Sequence, residues 1–473
     1  MLPTPDASVV VLNFNGVDHL EACLASLRAQ TFPRERFEVL IADNRSTDAS
    51  AEFCRKNFPE YRFLAFDRNH GFATGNNLAA REARGRVVVF LNNDTRVDPG
   101  WLAPLVECVD AERGFGCAAS LLLSFDGGTL LYRGGALHAL GFGYQEGLGE
   151  TPPAPGSLAV AETAFPCGCA MAVDRRLFLD CGGFDDDYFA YYEDVDVGWR
   201  LWTRGQATRV VPTSICFHKG DASFSKTQLE SRQVLWNRNV LYSVFKNYED
   251  ENARRLLALS VLLTVERAMV FLLHDSESER AAVEAMFGDV PPAFRSERLA
   301  AMGRAPLAAI DQFAAALPRM AEKRRAIQES RRLSDAEIAR RLGVRVRFED
   351  QVNVLRDRSL LARLAPHFSL DALFGPGVAE DVRSEQLRKL EDAVLFYRRG
   401  LDSLETELRR KTEDQDRKAA VIGDLVAAAE ARDRALRERD SELATIRAKW
   451  WYRAVMKSRD WRRRLSPARS RPR

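Results

Sequence analysis

The chain lacks the marks of several protein classes. It has no CxxC pair, and its eight cysteines (Cys23, Cys54, Cys108, Cys117, Cys167, Cys169, Cys181 and Cys216) lie in the first half without regular spacing. That argues against a zinc site and a secreted disulfide framework, and predicts reduced thiols in a cytoplasmic protein. The opening stretch "MLPTPDASVVVLNFNG" has no basic segment leading into a long apolar one, so no secretory leader is expected. No apolar run reaches the roughly 20 residues that a spanning helix needs. The nearest, "LLALSVLLTVERAMVFLL" at 256–273, is interrupted by Glu266 and Arg267, which predicts a buried or membrane-surface helix. Net charge is also nearly absent, 69 basic residues against 67 acidic ones leaving +2.

What is present is a chain of 473 residues, 46% hydrophobic, long enough for two or three domains with a sizeable core. "SVVVLNFN" (8–15), "EVLIADN" (38–44) and "RVVVFLNND" (86–94) are apolar, β-branched runs that end in polar residues, and helical patterns follow the first two. This alternation predicts a parallel, doubly wound α/β sheet over residues 1–225. Ligands of such sheets bind beyond the carboxyl ends of the strands, where Asn13, Asn15, Asp43, Asn44, Asn92, Asn93 and Asp94 fall.

From about residue 226 the pattern turns helical, predicting a helical domain over 226–380. Apolar residues then recur at heptad spacing from Leu387 through Leu390, Val394, Tyr397, Leu401, Leu404 and Leu408 to Ile446. Polar interruptions such as Lys411 and Gln415 weaken the pattern, which predicts a coiled coil or long helix over 381–450 that could join two copies of the chain. Residues 447–473 hold eleven Arg or Lys and one acid, a local +10 against about −8 for the rest. Trp and Arg interleave there, as in interfacial membrane segments, and a basic tail over 451–473 is expected to seek anions.

Three strand-end stretches could form a nucleotide site. "IADNRSTDAS" (41–50) closes a strand with Asp43 and offers Ser46, Thr47 and Asp48 as helix caps. "NHGFATGNN" (69–77) places two glycines and three asparagines before a helix, where backbone N–H groups could approach a phosphate or sugar. "FLNNDTRVDPGWL" (90–102) brings Asn92, Asn93 and Asp94 together just past a strand, a setting suited to a hard divalent ion if a diphosphate supplied further ligands. Later, "YFAYYEDVDVGWR" (188–200) sets four aromatic rings against three acids. If a helix starts near Glu193, Glu193 and Asp196 share a face, Asp196 pairs with Arg200 at i, i+4, and Asp194 lies about 100° round from Glu193.

In this order, and with "CFHKGDAS" (216–223) after them, these stretches resemble the inverting family 2 glycosyltransferases with the GT-A fold, and among them the rhamnosyltransferase and galactofuranosyltransferase type. The resemblance covers roughly residues 7–250. It implies a GT-A domain, a nucleotide-diphospho-sugar donor and a glycan or lipid-linked acceptor in bacterial surface glycan synthesis. It further implies donor contacts at Asn13, Asn15, Asp43, Asn76, Asn77 and Asn92, and a divalent metal, Mg²⁺ or Mn²⁺, at Asp94 and His218. Asn92 stands where the family's metal motif usually has its first Asp, so metal dependence stays open. The general base maps to Asp194, with Glu193 orienting the acceptor and Asp196 structural. Tyr188, Phe189, Tyr191 and Tyr192 are expected to form an aromatic wall against sugar rings.

Other readings compete. A decayed transferase serving as a coiled-coil scaffold would explain Asn92 but not the intact "EDVD" and His218. A nucleotidyltransferase would want a more basic triphosphate loop. "RRLSDAEIARRLGVRVRF" (331–348) opens like a helix-turn-helix, with a capping box at Ser334 and Glu337 and a staple of Leu333 on Ile338. The strand-like "VRVRF" stands where a recognition helix would be needed, so no nucleic-acid partner is expected. The resulting expectation is a cytoplasmic enzyme peripheral to the plasma membrane.

Overall fold

The β-branched runs of the first hundred residues form the middle of a large sheet. A computed structural model of the chain describes residues 4–154, 156–220, 229–272, 292–342 and 346–347. In it β1 (Ala7–Asn13), β2 (Phe37–Asp43), β3 (Arg62–Ala65) and β4 (Val87–Asn92) are parallel and joined through α1 (Val17–Arg28), α2 (Ser50–Asn57) and α3 (Gly71–Glu82). Alternate side chains go to opposite faces. Val9, Val11, Val39, Ile41, Val87 and Val89 join one core cluster with Leu20 and Leu24 of α1, whereas Val10, Leu40, Ala42, Val88 and Phe90 join a second with Ala73 and Ala80 of α3. Burial on both faces is why these strands read as unbroken apolar runs.

Beyond β4 the sheet is not the all-parallel one expected from the sequence. β5 (Thr95–Val97), α4 (Leu102–Cys108), β6 (Cys117–Ser124), β7 (Leu130–Tyr132), β8 (Gly135–His138), β9 (Gly143–Gln145) and β10 (Ala161–Thr163) follow. β11 (Ala170–Asp174) then inserts antiparallel between β4 and β6. After α5 (Arg175–Asp180) and α6 (Glu193–Thr203), β12 (Thr208–His218) runs parallel to β6 and antiparallel to β5 and β10. The sheet order is β10-β12-β6-β11-β4-β1-β2-β3. The regular β–α alternation stops at β4, and the chain returns to that strand from the opposite direction only some 80 residues later.

Helices α7 (Leu229–Asn247), α8 (Asp250–Leu272), α9 (Pro292–Glu329) and α10 (Asp335–Leu342) follow, with α7 against α6, α8 and α9. The stretch expected to be a buried or surface helix is α8; it buries Leu256, Leu259 and Leu263 and exposes Leu262 and Val265. No helix among the described residues is long and apolar enough to cross a membrane. The Ser334–Glu337 capping box forms, with Ser334 N–H and Oγ both donating to Glu337 Oε2. Where a recognition helix would stand, β13 (Val346–Arg347) pairs with β8. The coiled coil expected over 381–450 and the basic tail at 451–473 lie outside the described residues.

Candidate active site

The carboxyl ends of β1, β2 and β4 meet at one edge because the strands are in register there, Asn13 opposite Asp43 and Leu12 opposite Asn92. Asn13 Nδ2 donates to Asp43 Oδ1 (3.1 Å) and Ser46 Oγ (3.0 Å), and its Oδ1 accepts from Asn93 Nδ2 (2.7 Å). Ser46 Oγ in turn donates to Asp43 Oδ1 (2.6 Å). A side chain at Gly16 would collide with the Asn93–Asn13 bond, its Cβ falling 2.1 Å from Asn93 Nδ2. Asn15 Oδ1 accepts from Thr47 N–H (2.7 Å), ordering the turn after β2. Asn13 and Asp43 therefore line the edge inside a preformed network, while Asn92 makes no side-chain hydrogen bond among the described residues. Phe14, a residue the sequence reading passed over, projects from this edge 46% exposed.

The asparagines of the glycine-rich stretch are placed differently. Asn76 Nδ2 donates to Phe72 O within α3 (3.0 Å). Asn77 Nδ2 donates to Phe184 O (2.7 Å) and Asp186 Oδ1 (2.8 Å), and its Oδ1 accepts from Phe184 N–H (2.9 Å), so it ties α3 to the turn before α6. The helix N-terminus expected to face a phosphate is already occupied: Phe72 and Ala73 N–H donate to Phe189 O at 2.7 and 3.1 Å, and Gly71 N–H donates to Asn69 Oδ1. Gly71 makes this approach possible. Its φ is +76°, and a Cβ there would sit 2.7 Å from Phe189 O.

Asp94 and His218 come together from the β4–β5 turn and the end of β12. His218 Nε2 lies 3.2 Å from Asp94 Oδ1, and no other side chain or backbone donor among the described residues reaches that buried oxygen. Burial pushes the Asp94 carboxyl up, yet the neighbouring His218 outweighs it and holds the group below its ordinary range. An unshared carboxylate oxygen facing an imidazole nitrogen suits one divalent cation whose other ligands come from a bound diphosphate. Among the described residues no cluster of three His, Cys, Asp or Glu side chains could hold a metal by itself. At the same mouth Lys219 Nζ donates to His19 Nδ1 (2.9 Å), a pairing that sequence separation hides.

The aromatic and acidic segment packs under α7 and α9. Tyr188 is not part of an exposed wall: it is fully buried, its hydroxyl between Asp196 (3.2 Å) and Ser243 (2.8 Å). Tyr192 is also buried and accepts from Gly143 N–H through its hydroxyl. Of the four rings only Phe189, 42% exposed, and half-buried Tyr191 reach the surface. Asp196 makes the expected ion pair with Arg200 (2.8 Å) and also faces Lys246 (3.1 Å) and Asn247 (3.0 Å). Asp185 pairs with Lys246 and Lys323, and Asp187 with Lys323 (2.7 Å) and Arg319 (3.0 Å). Burial alone would raise Asp185, but the two ammonium groups hold it well below the carboxylate range.

Asp194 differs from these acids in having no cationic partner among the described residues. Its Oδ2 accepts from Gly168 N–H (2.8 Å) and its Oδ1 from Val195 N–H (2.8 Å). The residue after Gly168 accepts from the end of β4, Asn92 N–H to Cys169 O at 2.9 Å, so Asp194 stands beside that strand end. Burial raises the Asp194 carboxyl above its ordinary value, and the two backbone donors offset only part of that. Glu193 is raised well above its ordinary value by burial and then by the Asp194 charge, and its Oε2 is buried without a partner. Burial therefore raises both neighbouring carboxyls, Glu193 further than Asp194.

Comparison with known proteins bears on the first half of the chain. Residues 8–157 match the family "Glycosyl transferase family 2". The "O-antigen biosynthesis protein RfbC" of Myxococcus xanthus is 32% identical over 221 residues, which span 45% of this chain and 17% of that protein. The "N-acetylglucosaminyl-diphospho-decaprenol L-rhamnosyltransferase" of Mycobacterium tuberculosis is 29% identical over 231 residues, spanning 44% of this chain and 75% of the relative. Among solved structures, GalNAc-T7 with UDP, GalNAc and Mn²⁺ aligns over 53% of this chain and 49% of its own at 20% identity, with a TM-score of 0.43. Staphylococcus aureus TarS 1–349 in complex with UDP aligns over 68% and 88% at 16% identity, with a TM-score of 0.40. Residues 8–157 are a glycosyl transferase family 2 domain.

Proposed function

We propose that the chain is an inverting glycosyltransferase that moves a sugar from a nucleotide-diphospho-sugar, dTDP-rhamnose or a UDP-sugar, to a saccharide or lipid-linked acceptor in bacterial surface glycan synthesis. The observation that carries this reading is Asp194: a buried carboxyl beside the carboxyl end of β4, held by two backbone N–H groups and with no counter-ion among the described residues, next to Glu193, whose carboxyl burial raises further still. Asp194 takes the proton of an acceptor hydroxyl as that oxygen bonds to the anomeric carbon. The bond from that carbon to the diphosphate breaks on the opposite face, and the nucleoside diphosphate leaves with the electron pair. Asn13, Asn15 and Asp43 form the wall on which the nucleoside rests, with Asn92 offering its free amide and Phe14 a face for the base. Asp94 and His218 would hold Mg²⁺ or Mn²⁺, which supplies positive charge to the leaving diphosphate. Phe189 and Tyr191 flank the acceptor. The name of the mycobacterial relative supports rhamnose as donor sugar and a polyprenyl-linked acceptor, and the basic tail would hold the enzyme at the inner membrane face where such an acceptor lies, with 381–450 joining two copies.

The test is nucleoside-diphosphate release from UDP-, dTDP- and GDP-sugars, with Mn²⁺ or EDTA, in wild type and Asp194→Asn. Release with one carrier, lost in the variant, is expected. Undiminished release in the variant would remove Asp194 from the base role, and no donor binding by wild type would leave the scaffold reading.

A further inference from the structure

Residues 189–192 hold a backbone that their sequence disfavours. Phe189, Tyr191 and Tyr192 have φ of +63°, +69° and +69°, and none is glycine. A residue with a Cβ is strained in that conformation, which persists only where the surroundings over-determine it. The segment immediately precedes Glu193 and Asp194, so its shape sets where α6 begins and where both carboxyls point. Tyr192, the residue before the helix, has a left-handed conformation and no side-chain cap of its own.

The carbonyls of this segment account for what holds it. Phe189 O accepts from α3, and Tyr192 O from Asp196 N–H within α6. The carbonyls between and before them are met by two side chains of α7. Asn239 Nδ2 donates to Tyr188 O (3.2 Å), Ala190 O (3.0 Å) and Tyr191 O (2.7 Å), its two hydrogens shared among three acceptors. Arg238 donates from Nη2 to Asp187 O (2.8 Å) and Tyr188 O (3.2 Å). Arg238 Nε and Nη2 also donate to Asn239 Oδ1 (3.1 and 3.0 Å), which leaves the amide only one orientation, Nδ2 toward the segment. Asn239 is fully buried.

We propose that Asn239, oriented by Arg238, is a positioning residue for transfer: it moulds residues 188–191 into the conformation that aims Asp194 and presents Phe189 and Tyr191 to the acceptor. The proposal rests on the transferase reading above, and it gives α7 a part in the chemistry through the backbone it holds. An aspartate at 239 keeps the shape and loses the donors, turning three attractions into repulsions between carboxylate and carbonyl oxygens.

The experiment compares full-length wild type, Asn239→Asp and Arg238→Met. Expected for Asn239→Asp is a fall in transfer kcat of about thirtyfold or more with raised acceptor KM, while affinity for UDP and dTDP stays within threefold and backbone amides 189–194 exchange hydrogen faster. Arg238→Met, a change at a half-buried residue, should show the same split at about a third of the size. Equal loss of transfer and nucleotide affinity would make Asn239 merely structural, and unchanged kcat and exchange would remove it from the role. If Asn239→Asp does not fold, Arg238→Met decides on the same two outcomes. If wild type transfers no sugar from any donor, the proposed function fails, and amide exchange at 189–194 still judges the positioning role by itself.

Discussion

The strand-end network proposed to meet the donor and the segment proposed to meet the acceptor solve opposite problems. At the donor edge Asn13, Asp43, Ser46 and Asn93 satisfy one another within a few residues of three adjacent strand ends. Apart from single residues at Asn15 and Arg45, the backbone there is ordinary. The acceptor segment carries three strained residues, and beside the local Asp196–Arg200 pair its acids Asp185, Asp187 and Asp196 have partners 50 to 140 positions away, on α7 and α9. A preformed local network makes a rigid wall that asks nothing of the rest of the chain. A strained, charged segment is only as well placed as the distant elements that hold it.

Four substitutions would break or sharpen that contrast. Asp194→Asn should reduce transfer by 10²–10⁴-fold, as removal of a general base does, with UDP or dTDP affinity within threefold by calorimetry. A loss confined to affinity would move the role to the donor edge. Lys246→Met leaves Asp196 and Asp185 buried with one fewer counter-ion and should cost roughly 3 kcal/mol in denaturant titration. Asp185 is depressed in the folded state, so its contribution is complete above about pH 3.8, its ordinary value, and disappears as pH falls through the lower folded value. The difference between wild type and Lys246→Met should accordingly shrink in acid. Asp94→Ala should weaken Mn²⁺ activation by about a hundredfold without a comparable change in stability, because its Oδ1 has no protein hydrogen bond to lose.

Glu193→Gln is the smallest. Glu193 is raised in the folded state, so the native protein keeps its proton while the unfolded chain loses it, and stability drops as pH rises from about 4.5 toward the folded value. The amide removes that slope. A gain on the order of 1 kcal/mol at pH 8 and none at pH 4 is expected from thermal melts, together with a shift in the pH profile of kcat. An equal effect at both pH values would mean that Glu193 is not the protonated partner.

How much of this was legible follows the same division. β1, β2 and β4 were readable because their burial on both faces writes an unbroken apolar run. The Asp196–Arg200 pair and the Ser334–Glu337 cap were readable because both lie within one helical turn. The antiparallel insertion of β11 was not, since "AMAVD" looks the same whichever way it runs. Tyr188 was read as a wall because four neighbouring aromatics look alike in sequence; only the reversal of the backbone at Phe189 separates the buried ring from the exposed one. Asn239, Lys246 and Lys323 carry no local signal at all. Their meaning depends on carbonyls and carboxylates that folding brings to them.

The clasp on Asp185, Asp187 and Asp196 also bears on what can be exchanged between proteins. Residues 1–225 contain every side chain proposed to touch the donor, and would look like a portable cassette. Yet Lys246, Lys323 and Arg319 all lie beyond that point, and a chain cut there would leave Asp196 only Arg200 and strip Asp185 and Asp187 of the cations opposite them. A chimera that borrows this chain's acceptor preference would have to inherit α7 and α9 along with the loop, so recombination breakpoints that preserve function belong after residue 330 and not after the sheet.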